Sequence, residues 1–297
     1  MPHRVLGQMP RQMIITRFAP SPTGPLHLGH AWSAIQAHDR ARDQGGRFLL
    51  RIEDIDGTRS RADHIAGIIA DLTWLGLSWD GPVLRQSERA SVYQAALDRL
   101  HDQGLLYPCF CTRADITARL SAPHAGPAGT VYPGSCRAMA PTERQARVDA
   151  EPHAWRIDMT RAVAVTGLLS WVDDQAGRVT ADPLAHGDVV LARKDAPASY
   201  HLAVTVDDAA QGVTDVVRGV DLFAATHVHR LLQTLLGLPT PTYHHHALLH
   251  DQQGNRLAKR SGAPTLAALR AAGEDGAALA QMVRRGQLPI GIAAITP

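Results

Sequence analysis

Apolar and polar positions along this chain switch repeatedly between a period of two and a helical period. Met13–Phe18 is a short apolar-rich run that stops before Pro20 and reads as a strand. A proline- and glycine-rich turn follows. Ala31–Gln44, rich in alanine and free of breakers, then reads as a helix ended by Gly45-Gly46, since glycine accepts the left-handed cap geometry. Arg47–Ile52 is the next strand, and Ile65, Ile68, Ile69, Leu72 and Leu75 fall on one helical face. A further helix over Glu88–Gln103 ends at Gly104. Strand and helix in short alternation predict an α/β fold with a parallel sheet and crossover helices.

From Leu105 to about Ala185 the alternation is lost. This stretch holds a loop rich in Pro, Gly and Ala (Ser121–Gly134) and strand-like runs such as Val163–Val172, and it reads as an insert. The α/β pattern resumes with Asp188–Leu191, Ser199–Val206 and Val213–Arg218, then a helix over Ala225–Leu236. From His250 a loop leads to an alanine-rich helix. The expected division is an extension (1–12), a first α/β half (13–104), the insert (105–185), a second half (186–247), and a loop with a short helical tail (248–297).

Composition narrows the class. A chain of 297 residues holds one large catalytic domain with an insert, or two ordinary domains. No apolar run approaches a membrane span, and Met1–Met13 lacks the apolar stretch of a secretory signal, so a cytoplasmic protein is expected. The net charge of +2 is no footprint of a nucleic-acid binder, although residues 248–297 carry six Arg or Lys against three Asp or Glu. Only two of the 30 basic residues are lysine, Lys194 and Lys259, so a lysine at a chemically useful position stands out. The three cysteines, Cys109, Cys111 and Cys136, form an odd-numbered cluster that argues against a disulfide framework and leaves metal binding open.

The candidate chemistry begins at Pro20–His30. A proline-rich turn with a glycine, placed after the first strand and opening a helix, presents backbone N–H groups to an anion. His27 and His30, three apart at that helix start, are placed to donate hydrogen bonds to phosphates, and Gly29 admits a nucleotide close to the backbone. An isolated His-x-x-His is more often a pair of surface histidines. The Pro-Ser-Pro-Thr-Gly before it shifts the balance to ATP.

Arg17–His30 resembles the first signature of the glutamyl-tRNA synthetases, a class I family, with His27–His30 as its "HIGH" element. Four further stretches agree in order: Arg51–Asp56, Tyr200–Asp208, Val217–Leu222 and Arg256–Arg260, the last resembling the "KMSKS" loop. The resemblance implies a Rossmann-like parallel sheet with an inserted zinc-containing subdomain and a short helical C-terminal segment. It places the loop's second lysine on Lys259, whose ammonium would meet charge building on the transferring phosphates. Arg256 replaces the first lysine and Ala258 the serine, which removes one phosphate hydrogen bond.

Glutamate carries two carboxylates and one ammonium, so a specific site needs two cations and one anion. The matched positions offer Arg17, Arg218 and Glu53, with Tyr200 able to add a phenolic hydrogen bond and Ser21 close by. The resemblance gives Glu53 the α-amino group and divides the carboxylates between Arg17 and Arg218. Taken singly, each charged residue would be a surface ion pair. Asp54 and Asp56 form an Asp-x-Asp pair better read as capping and supporting groups. ATP brings Mg²⁺, held mainly by phosphates and water.

Three cysteines need a fourth ligand for a structural Zn²⁺. His124, His153 and Tyr132 are available, and ligand chemistry alone favours a histidine. The resemblance to a shortened branch of the family, with a Cys-x-Cys…Tyr-x-x-x-Cys pattern, points instead to Tyr132. Three buried, unliganded cysteines are the plain alternative. With so short a tail after Arg260, no anticodon-reading domain of ordinary size is expected. The shortened branch implies tRNA-independent activation of L-glutamate, then transfer to the queuosine of tRNA(Asp), with docking of the anticodon stem-loop to a monomer. The alternatives are a short paralogue charging a terminal adenosine, a nucleotidylyltransferase of related fold, and a non-catalytic RNA-binding protein with a vestigial site.

Overall fold

The computed structural model describes residues 13–118, 125–126, 129–251, 254, 257, 264–288 and 292–295. The first α/β half contains β1 (Ile15–Phe18), α1 (Leu28–Arg42), β2 (Arg47–Ile52), α2 (Ala62–Trp74) and β3 (Leu84–Arg85). β1 pairs parallel with β2 and β2 with β3, and Ile15 lies opposite Arg47. Both β1 and β2 are almost wholly buried. α1 packs on them through Ala31, Ala34, Ile35, Ala37 and Ala41, small side chains that let the helix approach closely. It ends at Arg42, where Gly45 takes φ +65°. A β-carbon on Gly46 would stand 2.2 Å from the Ile14 carbonyl oxygen, so only glycine fits there.

After α3 (Ala90–Asp102) come β4 (Leu106–Cys109), α4 (Arg113–Ala118), the short hairpin β5 (Ala125–Gly126) and β6 (Gly129–Thr130), α5 (Pro141–Ala150), β7 (Ala154–Ile157), α6 (Met159–Thr166), β8 (Ser170–Asp173), β9 (Gly177–Thr180) and β10 (Val190–Ala192). β4, β7 and β10 form an antiparallel sheet with β7 in the middle. The chain continues through α7 (Tyr200–Ala210), β11 (Asp215–Gly219), α8 (Ala225–Leu235), β12 (Thr242–His246), β13 (Leu248–His250), α9 (Leu266–Ala271), α10 (Gly276–Arg284) and β14 (Ala293–Ile295). β11, β12 and β8 run parallel, with β9 antiparallel at the edge.

Two expected extended runs are helical. Val163–Val172 begins inside α6, because the Asp158 carboxylate caps the Arg161 N–H and Gly167 at φ +67° stops the helix before β8. The β-branched Val163 and Val165 suggest strand locally, but capping and packing against α8 prevail. Ser199–Val206 opens α7.

Hydrogen bonds from Ile15 to Thr214 and from Thr214 to Ile15 set the start of β11 beside β1. The carboxyl ends of β1, β2, β11 and β12 therefore converge. In open α/β sheets that is where ligands bind. No helix among the described residues is long and apolar enough to cross a membrane.

Candidate active site

At this convergence lies a cleft of about 260 Å³. Arg17, Ser21, His27, Gly29, His30, Glu53, Tyr200 and Arg218 all line it, so eight expected site residues from four separate stretches share one space. Lys259, with Arg256, Ala258, Arg260 and Gly262, lies outside the described residues. Leu257 does line the cleft, held by its N–H to the Leu249 carbonyl at 2.8 Å.

One wall is the start of α1. His27 caps the helix: its Nδ1 accepts from the Gly29 N–H at 3.1 Å, while the His27 N–H donates to His30 Nδ1 at 3.1 Å. Both Nδ1 atoms accept, so each neutral ring carries its proton on Nε2. The two rings lie 3.9 Å apart. No acidic side chain occupies the first turn, and two imidazole N–H donors at a helix start make an anion-binding corner.

The other wall carries buried charge. Arg17, 4% exposed, donates from Nε and Nη2 to both oxygens of Asp208, at 2.9 and 3.3 Å, and from Nη1 to the Val217 carbonyl. Arg51 donates to the same Asp208 at 2.6 Å and to Glu53 at 3.3 Å. Burial alone would push the Asp208 carboxyl up, but Arg17 and Arg51 hold it below the ordinary range. Glu53 shifts upward: burial raises it, and Arg51 and Arg17 only partly oppose this. Ser21 donates to the Glu53 carbonyl at 3.2 Å, joining the turn to the end of β2.

Arg218, 5% exposed at the end of β11, differs from Arg17. Its guanidinium donates to His245 Nε2, Tyr200 Oη, His229 Nδ1, the Leu222 carbonyl and Thr226 Oγ1, all neutral groups. Desolvation and the adjacent Arg218 charge push His245 down to about 4 and His229 well below its usual value, keeping both rings unprotonated at neutral pH. Three guanidiniums, of Arg17, Arg51 and Arg218, thus face two carboxylates, of Asp208 and Glu53. Asp221 also lines the cleft, and of the three guanidiniums Arg218 is the one whose hydrogen-bond partners are all neutral.

Asp54 and Asp56 do not form a metal pair. Asp54 accepts from the Ser87 N–H and hydroxyl at 2.9 and 2.8 Å, and Asp56 accepts from Thr58 and Arg59.

Away from the cleft, the three cysteine sulfurs lie within 4.8 Å of one another. Tyr132 Oη stands 3.5 Å from Cys109 Sγ and 3.7 Å from Cys111 Sγ, and accepts the Cys136 N–H at 2.8 Å. The Arg156 guanidinium covers its ring at 3.9 Å. Tetrahedral Zn²⁺ with sulfur bonds of about 2.3 Å needs sulfurs roughly 3.8 Å apart, so this donor set fits the ion. Burial pushes the Cys111 thiol up to about 11, whereas at Cys136 hydrogen bonds with Tyr132 and the Phe110 backbone outweigh burial and bring the thiol below its usual value. His153 packs against Phe110 and Trp155 and is not part of the cluster, whereas His124 lies outside the described residues.

A family model described as tRNA synthetases class I (E and Q), catalytic domain, matches residues 13–295. The chain belongs to this family. It is an aminoacyl-tRNA synthetase-type ligase. It is 52% identical to the glutamyl-Q tRNA(Asp) synthetase of Rhodobacter capsulatus, covering 91% of this chain and 99% of that protein. It is 48% identical to the glutamyl-Q tRNA(Asp) synthetase of Symbiobacterium thermophilum, over 88% of this chain and 82% of that one. Among solved structures, the glutamate tRNA ligase of Elizabethkingia meningosepticum, in complex with its amino acid, superposes with a TM-score of 0.71 at 27% identity. That match covers 86% of this chain and 54% of the ligase, so the chain spans about half of its length. The glutamate-tRNA synthetase of Elizabethkingia anophelis gives a TM-score of 0.76 at 26% identity, over 92% and 61%.

Behind the residues that line the cleft stand groups that single-residue reasoning passes over. Asp208 and Arg51 lie within matched stretches, yet only the fold reveals that they bracket Arg17 and Glu53. His245, His229, Asp173 and Thr226 fall outside every matched stretch. Their one sequence signal is a run of three histidines, His244–His246, on a buried strand.

Proposed function

We propose that this protein activates L-glutamate with ATP, without tRNA, and transfers it to the queuosine cyclopentenediol at the wobble position of tRNA(Asp). One observation carries the first half: Arg218 is buried with only neutral partners, in the same cleft as the carboxylate of Glu53. That is the charge complement of an amino acid bearing a second carboxylate. The acceptor is drawn from the relatives named glutamyl-Q tRNA(Asp) synthetase, one of which the chain covers almost completely.

In this reading the glutamate α-carboxylate attacks the α-phosphorus of ATP and pyrophosphate leaves. His27 and His30, through Nε2–H, and the start of α1 stabilise the negative charge on the phosphates, with Lys259 completing the set. Glu53 holds the ammonium, while Arg17, Arg218, Tyr200 and Ser21 hold the remainder of glutamate. Mg²⁺ accompanies ATP. A Zn²⁺ on Cys109, Cys111, Cys136 and Tyr132 is structural. The enzyme is placed in the cytoplasm as a monomer, docking the anticodon stem-loop of its RNA.

Amino-acid-dependent ATP–pyrophosphate exchange without tRNA is the first test, and glutamate alone is expected to support it. Labelled glutamate should then reach tRNA(Asp) only when queuosine is present. Labelling regardless of queuosine would favour a paralogue charging the terminal adenosine. No glutamate-dependent exchange would overturn the activation itself.

The phosphate corner has its own test. A β-carbon on Gly29 would stand 3.0 Å from His27 Cε1 and 3.1 Å from Nδ1, so Gly29→Ala must displace that imidazole. Alanine favours a helix, and the fold should be unharmed. Exchange is expected to fall about tenfold or more, with a raised KM for ATP and an unchanged KM for glutamate. Equal changes in both constants would argue against a phosphate role.

A further inference from the structure

Arg218 is held by a set of side chains with a defined proton arrangement. A guanidinium only donates hydrogen bonds, so the imidazole nitrogens facing it must be bare. These are His245 Nε2, 3.1 Å from Arg218 Nε, and His229 Nδ1, 3.2 Å from Nη1. Each ring then carries its proton on the far nitrogen, where an acceptor is waiting. Asp173 Oδ2 lies 2.8 Å from His245 Nδ1, and His201 Nδ1 lies 3.2 Å from His229 Nε2. Asp173 is pinned in turn: Oδ1 accepts the N–H groups of Gln175 and Ala176, and Oδ2 accepts that of His245. The parts come from four elements, namely β8 (Asp173), β12 (His245), α8 (His229) and α7 (His201). Asp173, His229 and His245 are each at most 3% exposed.

The contrast with Arg17 shows what this arrangement achieves. Arg17 meets Asp208 with two prongs, and its charge is largely answered within the protein. A carboxylate in place of either imidazole would answer Arg218 in the same way. Neutral imidazoles fill its hydrogen-bonding directions and fix its orientation without cancelling its charge. Thr226 does the same from the third side, its hydroxyl 2.6 Å from Nη2.

We infer that His245 and His229, backed by Asp173 and His201, are positioning residues that hold Arg218 as an oriented, uncancelled cation for a carboxylate of the substrate. The inference rests on the glutamate reading above and adds to it the device that keeps the binding charge available. None of these four residues lines the cleft, so they act through Arg218 and not by touching glutamate.

The test is glutamate-dependent pyrophosphate exchange with KM measured separately for glutamate and ATP. His245→Leu is expected to raise the glutamate KM at least tenfold and leave the ATP KM within twofold. His245→Gln, whose side-chain oxygen reaches the position of Nε2, is expected to recover most of that loss. Thr226→Asp keeps an oxygen beside Nη2 but makes it a carboxylate, and is expected to raise the glutamate KM about a hundredfold while the fold is retained. Should His245→Leu not fold, Asp173→Asn serves in its place. Its amide would donate to His245 Nδ1, turn the ring N–H toward Arg218, and raise the glutamate KM in the same selective way. The proposal is overturned if these variants keep the wild-type glutamate KM, or if both KM values rise together with no recovery in His245→Gln. Absence of exchange in the wild-type protein is a different failure, and it sinks the glutamate reading itself.

Discussion

Replacing Arg218 by methionine is expected to lower kcat/KM for glutamate in pyrophosphate exchange about a thousandfold, while Tm moves by only a few degrees. A thousandfold corresponds to about 4 kcal/mol, the size of a lost charge-assisted pair with a desolvated carboxylate. The stability side is a near balance. Methionine deprives His245, Tyr200, His229, Thr226 and the Leu222 carbonyl of their donor, at roughly 1 kcal/mol or more for each acceptor left buried. It also removes a buried cation that no carboxylate answers, and burying such a charge costs several kcal/mol. Thermal unfolding of the ligand-free protein beside the exchange assay separates the two roles. A purely structural arginine would lose stability first, with activity falling only as the fold does. A binding cation loses activity while the fold persists.

The same balance explains why the cleft could be read from sequence in outline but not in detail. Arg17, Glu53, Tyr200 and Arg218 stand in short stretches whose local pattern marks them, and they meet because the strands carrying Arg17 and Arg218 and the end of the strand before Glu53 run parallel and finish together. Helix and strand succession alone predicts that geometry. What surrounds those residues is another matter. Asp208 reaches Arg17 across 191 positions, Arg51 reaches Asp208 across 157, and Asp173 reaches His245 across 72. No period of two or 3.6 carries such pairings, which exist only after the sheet has closed. Asp208 illustrates the difficulty, since the adjacent Asp207 looks equivalent in sequence. In the fold Asp207 accepts from Gln86, Arg89 and Tyr93 behind the site, while Asp208 faces the cleft arginines.

The helix over Met159–Thr166 was hidden for a different reason. Its valines favour strands, and a local reading has no means of weighing Ala162 and Met159, both buried, against them. Tertiary burial decides the matter in favour of helix. In the cysteine segment the ligand spacing was legible, but ligand chemistry alone favoured a histidine over Tyr132. The fold places Tyr132 Oη among the thiols and His153 among aromatic rings.

That cluster gives the second large effect. Cys136→Ser is expected to abolish stoichiometric zinc and to lower stability by about 3 kcal/mol or more, roughly 5–10 °C in Tm for a chain of this size. The physical reason is the poverty of the local core. The buried residues around the sulfurs are few, chiefly Tyr107, Phe110 and Tyr132, and α5 adds only the half-buried Val148. A metal linking Cys109 at the end of β4 to Cys136 would supply the cross-link that such a core lacks. Chelation should lower the Tm of the wild-type protein to that of Cys136→Ser and leave the variant unmoved. Tyr132→Phe is expected to retain the three thiolates but bind zinc about 10–100-fold more weakly, because it loses one oxygen donor. Unchanged zinc affinity in Tyr132→Phe would transfer the fourth position to another group. A wild-type protein without zinc, indifferent to chelator, would reduce the cluster to three buried thiols. Glutamate-dependent exchange should survive Cys136→Ser within a few-fold, since none of the three cysteines lines the cleft.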